Sequence, residues 1–152
     1  MDYGGVAVED PFDLRRFVDA QEPVFERVLA ELRKGRKTSH WMWFIFPQLR
    51  GLGHSAMAER FGIGSREEAE AYWKHPVLGA RLEECTRLVN QVEGQTAAQI
   101  FGYPDDLKFR SSMSLFALVS RNAIFREALE KYFGGELDEF TKSRLSISQN
   151  LG

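Results

Sequence analysis

Two stretches of this chain gather residue types that could do chemistry. The first is GRKTSHWMWFIFPQLRGLGHS, residues 35–55. Arg36 and Lys37 precede two hydroxyls, Thr38 and Ser39, where the chain reads as a helix start. Free backbone N–H groups and the positive end of the helix dipole favour an anion there, such as phosphate or carboxylate. Trp41 and Trp43 offer flat faces for a base or ring, and Gln48, Gly51, Gly53 and His54 form a polar segment beyond them. The second stretch is GYPDDLKFRSSMSLF, residues 102–116. Asp105 and Asp106 stand at a helix start, and Lys108, Arg110, Ser111 and Ser112 follow within two turns. One segment therefore carries a general-base carboxylate and donors for an anion.

Each stretch also has a plainer reading. Ser39 serves as a helix cap in many such strings, basic neighbours are solvated, and tryptophans fill cores. Adjacent carboxylates at a helix start commonly act as a cap and a first-turn dipole partner. Against the plainer reading of the first stretch, WMWFIF places large apolar side chains on every side of a helix, so not all need share one core face, and His40 immediately precedes them. A further expectation joins the two stretches. Both set basic and hydroxyl side chains at a helix start, where more positive charge calls for a shared anion, so residues 36–48 and 105–112 are expected to meet around one pocket.

Other chemistry is poorly represented. His40, His54 and His75 lack the H-x-x-x-H or HExxH spacing that puts two ligands on one helical face, so no metal site is read. There is no G-x-S-x-G elbow, P-loop or dinucleotide fingerprint. Cys85, the single cysteine, lies on an apolar helical stripe and reads as a small buried hydrophobe rather than a nucleophile.

The elements that must position these residues are helices. Asp10-Pro11 reads as a cap followed by proline in the first turn, with Leu14, Phe17, Val18 and Gln21 on one face. A second helix from Pro23 carries Phe25, Val28, Leu29 and Leu32, then Lys34 and a Gly35 stop. Thr38 or Ser39 caps the aromatic helix, which Pro47 ends. Ser65 and Glu68 form a capping box ahead of residues 67–74, and His75-Pro76 separates this helix from the next. There Leu78, Leu82, Cys85, Val89 and Val92 recur at steps of four and three before Gly94. Thr96 and Gln99 repeat the box before a short helix closed by Gly102 and Pro104. Asp105 caps a helix through Met113 and Phe116. Asn122 caps another bearing Phe125, Ala128, Leu129 and Tyr132 and stopped by Gly134, and a brief helix over 139–144 follows. No stretch alternates as a half-buried strand. The expectation is an all-α, single-domain bundle of about seven to nine helices over residues 10–145, with a flexible arm at 1–9 and a flexible tail at 146–152.

Composition agrees with a globular domain: 152 residues, 43% hydrophobic and 28% charged, enough to bury roughly 68 to 70% of the unfolded surface. Twenty Lys and Arg stand against 22 Asp and Glu, a net charge of -2, so no global field draws a phosphate backbone and nucleic-acid binding is disfavoured. One cysteine, no secretion signal and no long apolar run point to a cytoplasmic protein without a membrane span. Monomer and homodimer both remain open.

The strings DPFDLRRFVDAQ, GRKTSHWMWFIFPQLRGLGHS, HPVLGARLEEC and IFGYPDDLKFRSSMSLF resemble a widespread family known only as a domain of unknown function, some of whose members are mislabelled calpastatin. The resemblance covers about residues 10–145 and implies a small, mainly helical protein of no named activity. It carries over no catalytic residue. A remote likeness to proteins that handle NAD-derived or ADP-ribose compounds has no residue-by-residue match.

Two functions compete on these observations. In the first, the domain binds or processes an anionic small molecule of the nucleotide or ADP-ribose kind. Lys37, Ser39, Trp41, Trp43, Gln48, Lys108, Arg110 and Ser111 would be its ligand-binding residues, and His40 and Asp105 its general acid/base in a catalytic version. The second is a helical protein–protein interaction module with an aromatic groove. No cofactor is indicated.

Overall fold

Side chains cap the starts of helices at Ser55, Ser65 and Thr96, and positive-φ glycines close helices at Gly35, Gly102 and Gly134. The computed structural model describes residues 9–151 in backbone and 9–146 in side chains. Among them are ten helices: α1 Arg15–Gln21, α2 Phe25–Arg33, α3 Met42–Ile45, α4 Ala56–Phe61, α5 Arg66–Lys74, α6 Leu78–Gln91, α7 Ala97–Phe101, α8 Asp105–Val119, α9 Ile124–Phe133 and α10 Glu139–Leu151. The fold is all-α. The extended pairing found among the described residues is one isolated parallel bridge, Leu49 with Ile63, held by Ile63 N–H donating to the Gln48 carbonyl and Arg50 N–H to that of Ile63. The expected arm at 1–9 falls almost wholly outside the described residues. At the other end α10 continues through Leu151, into the stretch expected as a tail.

α8 is the central element. It packs on α9, α10, α7, α5 and α3, while α6 packs on α9, α5, α2 and α3. The stripe Leu78, Leu82, Cys85 and Val89 is fully buried, and burial pushes the Cys85 thiol well above the ordinary range, so it is core. Where α3 and α7 meet α8, Phe46 sits edge-on to Phe101 and Phe109, and Phe101 stacks on Phe109 at 4.6 Å. Such pairs add about 0.5 to 1.5 kcal/mol each beyond their buried area.

Several boundaries differ from expectation, each for a physical reason. Asp10 does accept from the N–H groups of Leu14 and Arg15, but the regular helix begins only at Arg15, after a turn in which Asp13 takes a positive φ. The Thr96–Gln99 capping box is complete. That of Ser65–Glu68 is half made: Ser65 accepts from Glu68 N–H, while the Glu68 carboxylate accepts from Gly64 N–H and pairs with Arg16 at 2.7 Å. α4 had no counterpart in the expectation, because six residues behind a Ser55 cap are too few for periodicity to register.

Leu82 is 1% exposed. Leu82→Ala is expected to cost about 2 to 5 kcal/mol in urea denaturation; a loss below about half a kcal/mol would mean the α6 stripe is not the core.

Candidate functional site

The segment joining α2 to α3 is organised by a residue that pattern reading passed over. Glu31, in the last turns of α2 and 7% exposed, accepts from the N–H groups of Thr38 and Ser39, from the Ser39 hydroxyl at 2.5 Å and from the indole N–H of Trp41 at 3.0 Å. Burial alone would raise its pKa. The four donors outweigh that and hold it at about 2, below the ordinary 4.5, because each stabilises the ionised form. Gly35, in the left-handed region at φ +71°, makes the reversal that brings residues 38–41 back over the carboxylate.

This explains why the aromatic stretch is one turn of helix and not a long one. Ser39 does not cap it, since its hydroxyl and N–H are spent on Glu31, and α3 starts at Met42 behind Trp41 without a side-chain cap. A helix of four residues has little dipole to offer an anion. Trp41, Met42, Phe44, Ile45 and Phe46 are buried while Trp43 is partly exposed.

The loop delivers Lys37 to the start of α8. Its N–H donates to the Ile100 carbonyl at 2.7 Å, and its ammonium reaches Asp105 at 2.8 Å, with 8% of the side chain exposed. Lys108, one turn along α8, meets the other oxygen of Asp105, also at 2.8 Å. Asp105 is thus the first residue of α8 and not its cap, its carboxylate shared by two lysines. Burial pushes its pKa up, and the bonds from Lys108 and Lys37 overcome this and leave it lowered. Each ammonium also lies over an indole, Lys37 at 5.3 Å from Trp41 and Lys108 at 5.2 Å from Trp43, within cation–π range. Nearby in sequence, Tyr103 and Leu107 are among the few exposed large apolar side chains.

The two sequence stretches therefore meet, through Lys37, Trp41, Trp43, Asp105 and Lys108. Other expected residues lie elsewhere. Arg110 is tied to the α9–α10 connection through the Glu136 and Leu137 carbonyls and the Glu136 carboxylate. Ser111 is buried, its hydroxyl donating to the Leu107 carbonyl. Gln48 belongs to the Leu49–Ile63 bridge, and His40 is exposed. Among the described residues no three of His, Cys, Asp and Glu gather where they could hold a metal ion, and no helix is long and apolar enough to cross a membrane.

Glu31 could have been found from sequence. A carboxylate in the last turns of a helix opposes the dipole, which signals that donors come to it from outside the helix.

Because the folded pKa of Glu31 is depressed, its stabilisation is present above about pH 4.5 and is lost as the pH falls toward 2; the full loss is about 3 kcal/mol. Denaturation of Glu31→Gln across this pH range should show less acid sensitivity than the parent. At neutral pH the variant should be less stable by about 2 kcal/mol. Equal pH slopes in the two proteins would sink this account.

The likeness to known proteins agrees with this fold. No curated protein matches. The crystal structure of the conserved hypothetical protein Rv1873 from Mycobacterium tuberculosis is similar at 59% identity and a TM-score of 0.87, over 88% of this chain and 96% of that one. The family described as "Protein of unknown function (DUF1810)" matches residues 11–145, nearly the whole helical domain, and the chain belongs to that family.

Proposed function

We propose that this domain binds a small anionic molecule carrying a ring, of the nucleotide class, at the corner where α3 meets α8. The observation that carries the reading is the shared carboxylate: two ammonium groups on Asp105 alone. The cluster keeps a net positive charge, each lysine retains N–H donors beyond the one given to Asp105, and partial burial strengthens what those donors can do for an anion. Trp43 supplies a partly exposed aromatic face beside Lys108, and Tyr103, two residues before Asp105, is largely exposed.

Within this reading Lys108 and Lys37 hold the charge, Trp43 stacks the ring and Asp105 positions the lysines. Ser39 and Trp41 act one step back, through Glu31, by holding the loop that presents Lys37. Gln48, Arg110 and Ser111 would contribute only through the fold around the corner. A carboxylate with a lowered pKa is suited to holding cations rather than accepting a proton from substrate, so binding is favoured over acid/base processing by Asp105; His40 is the exposed group that a processing version would use. The interaction-module alternative needs an open aromatic groove, and most of the aromatic stretch is buried.

Thermal-shift and calorimetric titration with AMP and ADP-ribose tests the reading. One of them should stabilise the protein, and Lys108→Ala and Trp43→Ala should each weaken its binding about tenfold while leaving the helical circular dichroism unchanged. Binding at parental affinity by both variants would overturn it, as would stabilisation by neither compound.

A further inference from the structure

Away from that corner, the structure holds a concentration of arginines that the net charge of -2 does not foreshadow. A cavity of about 150 Å³ opens between the Leu49–Ile63 bridge, the first turn of α5 and α10, and Arg50, Arg66 and Arg144 all line it together with Ser65. Among the described residues no carboxylate lines this cavity. Glu67, next to Arg66, is exposed, and Glu68 has its two oxygens on Gly64 N–H and Arg16. Glu70 makes an i,i+4 ion pair with the Arg66 Nε at 3.8 Å, beyond hydrogen-bond distance, and does not line the cavity.

Two of the three guanidiniums are fixed in place. Arg50 donates to the carbonyls of Glu59 and Gly62 and lies across the 62–64 turn. Glycine is required beneath it: a Cβ at Gly62 would come within 2.8 Å of the Arg50 backbone, and one at Gly64 within 3.1 Å of its Nη1. Arg66 donates from Nη2 to the Leu118 carbonyl at 3.1 Å, while its Nη1 is buried and meets no acceptor among the described residues. A buried donor on a charged group without an acceptor is costly. Arg144 is freer, its guanidinium over the Phe140 ring at 4.7 Å.

We propose that this cavity is a binding site for the phosphate group of a phosphate monoester. Arg66 and Arg50 offer preset donors in the planar fork that suits phosphate oxygens, and Arg144 closes over the anion from α10. The volume equals about five waters, enough for one such group. Arg50 also lines a wider cleft of about 480 Å³ with Arg16, Arg60, Asp13 and Glu68, which leaves room for the organic part of the ligand. None of these residues belongs to the α3–α8 corner, so the two sites are tested separately.

The probe is inorganic phosphate, titrated against chloride at matched ionic strength to remove general screening. Phosphate should raise the melting temperature where chloride does not. Arg144→Gln, which removes a mobile surface side chain, should melt like the parent in chloride yet bind phosphate about tenfold more weakly by calorimetry. Arg66→Gln should do the same or worse, and Arg144→Gln decides the matter alone if that variant does not fold. Lys108→Ala should bind phosphate like the parent. The proposal is overturned if phosphate stabilises no more than chloride, if Arg144→Gln keeps parental affinity, or if Lys108→Ala abolishes binding.

Discussion

A single buried carboxylate decides the course of the chain between α2 and α3. Glu31 would be expensive to bury unpaired, and the chain answers by wrapping residues 38–41 around it until four donors point inward. That choice has consequences in sequence order. Ser39 is no longer free to cap a helix, the aromatic stretch is limited to one turn, the Trp41 indole is drawn into the core, and Lys37 is carried to α8. The lysine–aspartate corner is thus a product of a satisfied hydrogen-bond requirement some distance from it.

The remaining polar burial follows the same rule. Gln21, 1% exposed, donates to the Phe44 carbonyl and the Tyr72 hydroxyl and accepts from Arg81, which ties α1, α3, α5 and α6 at one point. Arg16 spans from α1 to the Gly62 carbonyl and Glu68. The desolvation cost of such a buried ion pair offsets much of its attraction, but removing one partner leaves the other charge buried and unpaired.

What could be read from sequence follows from the range of the interactions involved. The α6 stripe from Leu78 to Val89, the glycine stops after α2, α7 and α9 and the Thr96–Gln99 box are local, each settled within a few residues, and pattern reading found them. The end of α6 differs: the helix stops at Gln91 with Val92 extended, before the expected stop at Gly94. Arg16 and Arg50 act across loops or between distant helices, so nothing in their immediate neighbours announces them; Glu31 differs, because a carboxylate in the last turns of a helix already stands against the dipole. The half-made box at Ser65 shows the boundary well. The motif is present, yet a guanidinium from α1, fifty-two residues away, redirects its carboxylate. Residues 36–48 and 105–112 are expected to meet because each stretch sets basic and hydroxyl side chains at a helix start; that Lys37 pairs with Asp105 required the fold.

The doubly anchored Lys37 has a dynamic consequence. Its backbone N–H is held by the last turn of α7 and its ammonium by the first residue of α8, while the residues just after it are held by Glu31 on α2. Separating any one of these three helix ends from the others breaks hydrogen bonds to the same segment, residues 37–41. The α2 end, the loop and the α7–α8 corner should therefore open together, as one cooperative unit. Amide exchange at Thr38, Ser39 and Lys37 would then report a single opening free energy, well above that of an ordinary surface connection of the same length.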